Sequence, residues 1–285
     1  MSDPRVEQRS LNFSRRIIYL LVALAVLVPF LVPFSLPVTP SPWAGKLYDK
    51  IESLDKGSRV LLAFDYDPSA EAELTPMARS LMKHCFRRGL VPVVMTHWIS
   101  GLNMSDKICR ESAEASSKEL GREVKAGVDY VFLGYKPGTS NLVLNMGENL
   151  KGAFPKDFSG ASTATMPAIA GVETLRDVKL GVDLAAGATV GMWIVYGSDR
   201  YGFPLAVGTT AVQAPDLYPF LHSNQLIGFL GGLRGAADYE KLLDAPSDAT
   251  KGMLAQSATH LLLIILIVVA NVRMFMGRAG GNRKD

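Results

Sequence analysis

The chain has 285 residues, 48% hydrophobic and 20% charged, which suffices for one sizeable core with membrane segments and is too short for two full-size domains. Its formal net charge is +3 and its 30 Lys and Arg residues are scattered, so there is no electrostatic footprint for nucleic acid. The two cysteines, Cys85 and Cys109, lack metal or disulfide spacing and read as small apolar residues.

The N-terminal flank, residues 1–16, carries Arg5, Arg9, Arg15 and Arg16. From Ile17 to Leu36 no charge occurs, and a stretch of roughly 20 apolar residues crosses the hydrocarbon core, so residues 17–36 are expected to form a first transmembrane helix. Its length, with Pro37, Pro40 and Trp43 beyond it, favours an anchor over a cleaved leader. Pro29, Pro33 and Pro37, at four-residue spacing, should kink or end its outer half. Residues 37–57 are expected to be a linker with a short helix over Ala44 to Leu54.

The segment 58–244 alternates buried strands with amphipathic helices. Strands are expected at Arg59 to Phe64, Leu90 to Met95, Asp129 to Gly134, Val178 to Leu184 and Pro204 to Val212. Between them, Thr75 as N-cap, Pro76 at the first helical position and Gly89 as stop bound one helix; Ser105 to Val124 and Asn141 to Leu150 form others. Asn224 to Leu243 reads as a long closing helix. The implied fold class is α/β: an open doubly wound, mostly parallel sheet of about five strands, flanked by two transmembrane helices. The irregular stretch Gly152 to Pro167 is long enough for a lid or binding loop.

A linker, 245–257, leads to a second expected transmembrane helix, 258–276, and a tail, 277–285. Arg273, Arg278, Arg283 and Lys284 match the basic residues of the first flank, so both termini should be cytoplasmic and the central domain periplasmic or extracellular.

Candidate chemistry lies at the strand ends, where doubly wound sheets bind ligands. Asp65 and Asp67, two residues apart after the first strand, can grip a hard cation such as Mg through oxygen ligands; an Asp before Pro also suits a turn. The run Val60-Leu-Leu-Ala-Phe64-Asp65-Tyr66-Asp67 resembles the opening motif of haloacid-dehalogenase-type phosphatases. It departs from that family in having Pro68-Ser69 where the family has Gly-Thr, and in lacking a later adjacent acidic pair. His97 is a candidate general base, and Lys136, before Pro137-Gly138-Thr139-Ser140, a candidate anion contact. In the closing segment Gly228, Gly232 and Ala236 recur every four residues beside Gly231 and Gly235. Such a surface of small residues admits close backbone approach, either to the domain's own sheet or to another subunit, with Arg234, Asp238, Tyr239 and Glu240 adding polar specificity.

No catalytic set is complete in the sequence. The leading expectation is a non-enzymatic subunit of an oligomeric membrane assembly, with the lipid bilayer and either copies of itself or other membrane subunits as partners and no cofactor. The alternatives are an extracytoplasmic metal-assisted hydrolase or transferase using Asp65 and Asp67, and a ligand sensor whose lid is the 152–167 loop.

Overall fold

The structure, a computed structural model, describes residues 4–31 and 39–281, with side chains described for 15–31 and 39–276. In chain order its elements are α1 (Pro4–Leu31), α2 (Pro42–Glu52), β1 (Arg59–Asp65), α3 (Glu71–Arg88), β2 (Val91–Thr96), α4 (Leu102–Leu120), β3 (Val131–Tyr135), α5 (Thr139–Glu148) and α6 (Leu150–Ala153), followed by β4 (Leu180–Ala185), α7 (Thr189–Met192), α8 (Asp199–Tyr201), β5 (Leu205–Thr209), α9 (Ala214–His222), β6 (Gly228–Gly231), α10 (Gly232–Leu242) and α11 (Asp248–Gly281). A π-helical segment, Trp193–Ser198, joins α7 to α8.

The strands form one sheet in the order β3-β2-β1-β4-β5-β6, every neighbouring pair parallel. This is the Rossmann-like doubly wound order. Alternation along each strand feeds two apolar layers. In β1, Val60, Leu62 and Phe64 join Leu74, Met77 and Leu81 of α3 on one face, while Leu61 and Ala63 join Val143 and Met146 of α5 and Trp193 on the other. Burial on both faces explains why the strands read as nearly continuous apolar runs.

The α/β unit extends to Thr250 and includes α2, so the expected linker 37–57 is in large part integral to it: Leu47 and Ile51 of α2 are fully buried. Its sheet has six strands rather than about five, because the expected closing helix, 224–243, is a strand followed by a helix. Gly228 to Gly231 pair with Ala206 to Thr209 of β5, and only then does α10 begin. The four-residue recurrence of small residues therefore straddles two elements. Gly228 lies against α2, where a Cβ would stand 2.7 Å from Leu47 Cβ; a Cβ on Gly235 would stand 2.7 Å from the Leu230 carbonyl carbon, so the absent side chain lets α10 fold back on β6. Ala236 and Tyr239 are fully buried.

Helix α3 also begins earlier than expected. Asp67 caps a 3-10 turn, Pro68–Ala70, that runs directly into Glu71, which leaves Thr75 and Pro76 inside the helix. The Thr75 hydroxyl is not a cap; it pairs with the Tyr66 hydroxyl at 3.1 Å. Gly89 does terminate the helix, in the left-handed conformation that a glycine adopts without strain.

Helix α10 ties down both ends of the unit. Asp238 accepts the Ser41 N–H at 3.0 Å and Arg234 Nε at 2.8 Å, and Arg234 reaches the Thr39 carbonyl at 3.2 Å. Glu240, almost fully buried, accepts from the backbone N–H groups of Ser247 (2.8 Å), Ala249 (3.0 Å) and Thr250 (2.9 Å) and from the Thr250 hydroxyl (2.6 Å). These are the donors that a helix start leaves unpaired, and a carboxylate there also complements the helix dipole. The expected linker 245–257 is thus helical from Asp248 onward.

Beyond that cap, α11 is the one helix among the described residues long and apolar enough to cross a membrane, over Asp248–Met276; Leu261, Ile264 and Ile267 are among its exposed side chains. Helix α1 carries the first expected span as far as Leu31, with Leu20, Leu24 and Leu27 exposed and Pro29 inside the helix. Residues 32–36 of that span, with Pro33 and Pro37, lie outside the described residues, as do tail residues 282–285. A complete first span is therefore not among the described elements.

Removing the Glu240 carboxylate strands several buried donors. Glu240→Ala is expected to lower unfolding stability by roughly 3 kcal/mol, with Glu240→Gln intermediate. Urea unfolding followed by tryptophan fluorescence measures this, and an unshifted midpoint in the Ala variant would show that the cap contributes nothing.

Candidate functional site

In the observed strand order the direction reverses between β1 and β4, so the crevice that doubly wound sheets use for ligands lies above their carboxyl ends. Asp65 is the last residue of β1. Asp183 of β4 stands opposite Ala63, and the pleat puts Ala63 and Asp65 on one face, so both carboxyls enter the layer that holds Trp193. Both aspartates are fully buried.

Asp65 is surrounded by donors. Its Oδ1 accepts the backbone N–H of His97 at 2.7 Å, and its Oδ2 accepts His97 Nδ1 at 2.9 Å and Trp193 Nε1 at 3.3 Å. The wider turn of the π-helical segment belongs to the stretch that carries Trp193. Its ring meets that of His97 edge to face, with centroids 5.6 Å apart. Asp183 accepts the Thr189 hydroxyl at 3.0 Å. Burial, then the negative charge of Asp65, holds the Asp183 carboxyl well above the usual carboxylate range, with the Thr189 hydroxyl opposing. Asp183 therefore keeps its proton in the fold.

Trp98 lies across Gly187, just beyond β4, where a Cβ would stand 2.9 Å from the indole. The His97 side chain is 1% exposed and its Nε2 is buried without a hydrogen-bond partner, as is Asp183 Oδ1. A carboxylate orienting an imidazole is two-thirds of a nucleophile-activating triad, but among the described residues the free ring nitrogen meets no hydroxyl or thiol. The first strand-to-helix turn, 65–71, also contains no glycine, so it lacks the tight phosphate-cradling turn of dinucleotide-binding sheets.

Of the candidate residues, Asp65 and His97 meet. Asp67 turns away: half-buried, it takes the Ser69 hydroxyl at 2.5 Å and the Ser69 N–H at 2.9 Å, and these two bonds hold its carboxyl below the ordinary value. Asp65 and Asp67 thus do not face one cation, and among the described residues no group of three His, Cys, Asp or Glu side chains is placed to hold a metal. Lys136 follows β3, two strands from β1, where it donates to the Ala153 carbonyl and lies 5.7 Å from the Phe154 ring centroid. Of the residues considered for an interface, Arg234 keeps an exposed side chain, and the Tyr239 hydroxyl is 2.7 Å from His84 Nδ1 in the core. Asp183, Thr189 and Trp193 are not singled out by motif or spacing. The signal for Asp183 is a lone carboxylate inside the apolar run Leu180 to Leu184.

The sequence matches no family model and no curated protein. Among solved structures it is similar to a trehalose-6-phosphate synthase, at 9% identity and a TM-score of 0.31, over 80% of this chain and 44% of that one. The chain thus spans less than half the length of that enzyme.

The protonated Asp183 gives stability a definite pH dependence. Above its ordinary value of 3.8 the residue ionises in the unfolded chain but not in the folded one, so the folded state binds more protons and stability falls as pH rises toward the folded value. Asp183→Asn keeps an acceptor for Thr189 and cannot ionise. Relative to the wild type it should gain about 1.4 kcal/mol per pH unit within that window, measured by urea unfolding at about pH 4, 5 and 6. A pH-independent difference between the two proteins would show that Asp183 is ionised in the fold.

Proposed function

We propose that this chain is a membrane-anchored, non-enzymatic subunit of an oligomeric membrane assembly, its α/β unit serving self-association or partner docking. The observation that carries this reading is the pairing of a lipid-suited helix, α11, with a sheet whose ligand crevice is filled by its own side chains. Asp65 spends its acceptors on His97 and Trp193, and the described residues give His97 Nε2 no hydroxyl or thiol to activate.

In this reading residues 17–36 form a second anchor and the basic flanks keep both termini in the cytoplasm, which leaves the α/β unit outside it. A domain held at two points is restricted in tilt, and neighbouring copies are confined to one plane, which raises their effective concentration. Weak lateral contacts then suffice for assembly.

Two measurements test this. Cross-linking in native membranes, with light scattering in mild detergent, should give a discrete oligomer; a monomer in both would overturn the assembly role. For topology, Val212 is 86% exposed, whereas Cys85 and Cys109 are fully buried and burial pushes the Cys85 thiol up to about 12, so both native thiols should be unreactive. Val212→Cys should then react with a membrane-impermeant maleimide on intact cells, and reaction only after permeabilisation would place the unit in the cytoplasm.

A further inference from the structure

Beside the end of the edge strand β3, two strands from the Asp65 cluster, the chain forms an open cavity of about 500 Å³, a volume suited to a small organic molecule. Gly134, at the end of β3, has φ +84°, and a Cβ there would stand 3.4 Å from the Phe158 ring. The Phe158 ring, at ordinary contact distance from Gly134, closes one wall. That residue is held by its backbone, whose N–H donates to the Phe132 carbonyl at 2.9 Å, and its ring lies 5.2 Å from that of Phe132. Asp157 locks the turn: its Oδ1 accepts the Ala161 N–H and the Ser159 hydroxyl, each at 2.8 Å, and its own N–H donates to the Ala161 carbonyl at 2.9 Å. Although so fixed, Phe158 remains 42% exposed. Leu133 and Phe154 supply buried apolar surface.

The charges along this cavity are Lys136, Lys156 and Asp157, a balance of one positive. Lys136 is partly buried and spends one of its three donors on the Ala153 carbonyl. Its ammonium lies beside Phe154, so an anion bonded to it would bring an attached apolar body onto aromatic surface.

We propose that this cavity is a binding site for an amphipathic organic anion, with a flat apolar body against Phe154 and Phe158 and a carboxylate on Lys136 and Lys156. The walls are assembled without the ligand, so little ordering is required on binding. The site stands independently of the anchored-assembly reading, since either can fail without the other.

The test uses the full chain in nanodiscs, titrated with 1-naphthylacetate, its neutral amide and 1-naphthylmethylamine. The acid should saturate with a Kd of about 1 mM or below, and the amide and amine should bind at least about tenfold more weakly. Lys136→Met and Phe158→Ala should each weaken the acid about tenfold and Lys136→Arg should retain it, with unfolding midpoints confirming the fold. Should Lys136→Met fail to fold, the exposed Lys156→Met takes its place, with an expected loss of about threefold. Absence of saturable acid binding, equal binding of acid, amide and amine, or wild-type affinity in the folded lysine variant would each overturn the assignment.

Discussion

The negative charge of Asp65, buried at the centre of a six-stranded sheet, is the constraint around which the strand ends are arranged. A carboxylate removed from water is costly unless donors replace its hydration. Here they come from three places: the backbone just after β2, the imidazole of the same residue, and the indole of the π-helical segment. The neighbouring Asp183 relieves the remaining repulsion by keeping its proton. Each requirement fixes a loop, and Trp98 can then settle on Gly187. At the place where sheets of this order hold a nucleotide or substrate, the Asp65 carboxylate is bonded by donors of its own chain, while His97 Nε2 and Asp183 Oδ1 are left without partners.

The same economy governs α10. Its Gly235 lets it lie close to β6, while its polar residues reach outward along the chain to Ser41 and Thr39 on one side and to the start of α11 on the other. The helix therefore serves packing and connection at once. Its glycines have a use inside the domain whether or not a neighbouring subunit also approaches it.

Much of the architecture is legible in the residues. The apolar runs of β1, β2, β3, β4 and β5 announce a parallel sheet because strands covered on both faces carry few polar residues. β6 escapes notice because Gly-Phe-Leu-Gly is too short and too glycine-rich to show alternation; its pairing with β5 and its contact with Leu47 define it, and neither is local. The start of α3 is misread for a related reason, since Thr75-Pro76 has the chemistry of a helix start while the capped turn at Asp67 lies upstream and wins. Asp65 and His97 can be nominated from position alone, as residues that follow strands. Asp183 and Trp193 cannot, because their meeting depends on strand register and on a turn widened to the π form. Likewise the Asp65-Asp67 spacing is compatible with a shared ligand, but the strand ends at Asp65 and Asp67 caps the turn that follows, so the two carboxyls part.

Entry and exit of the α/β unit are both fastened to α10, at Asp238 and Glu240, two residues apart. Tension reaching the chain from either terminal segment is thus received by one short helix before any strand is loaded. Pulling the unit open from either end would first have to break one of these two acidic fastenings.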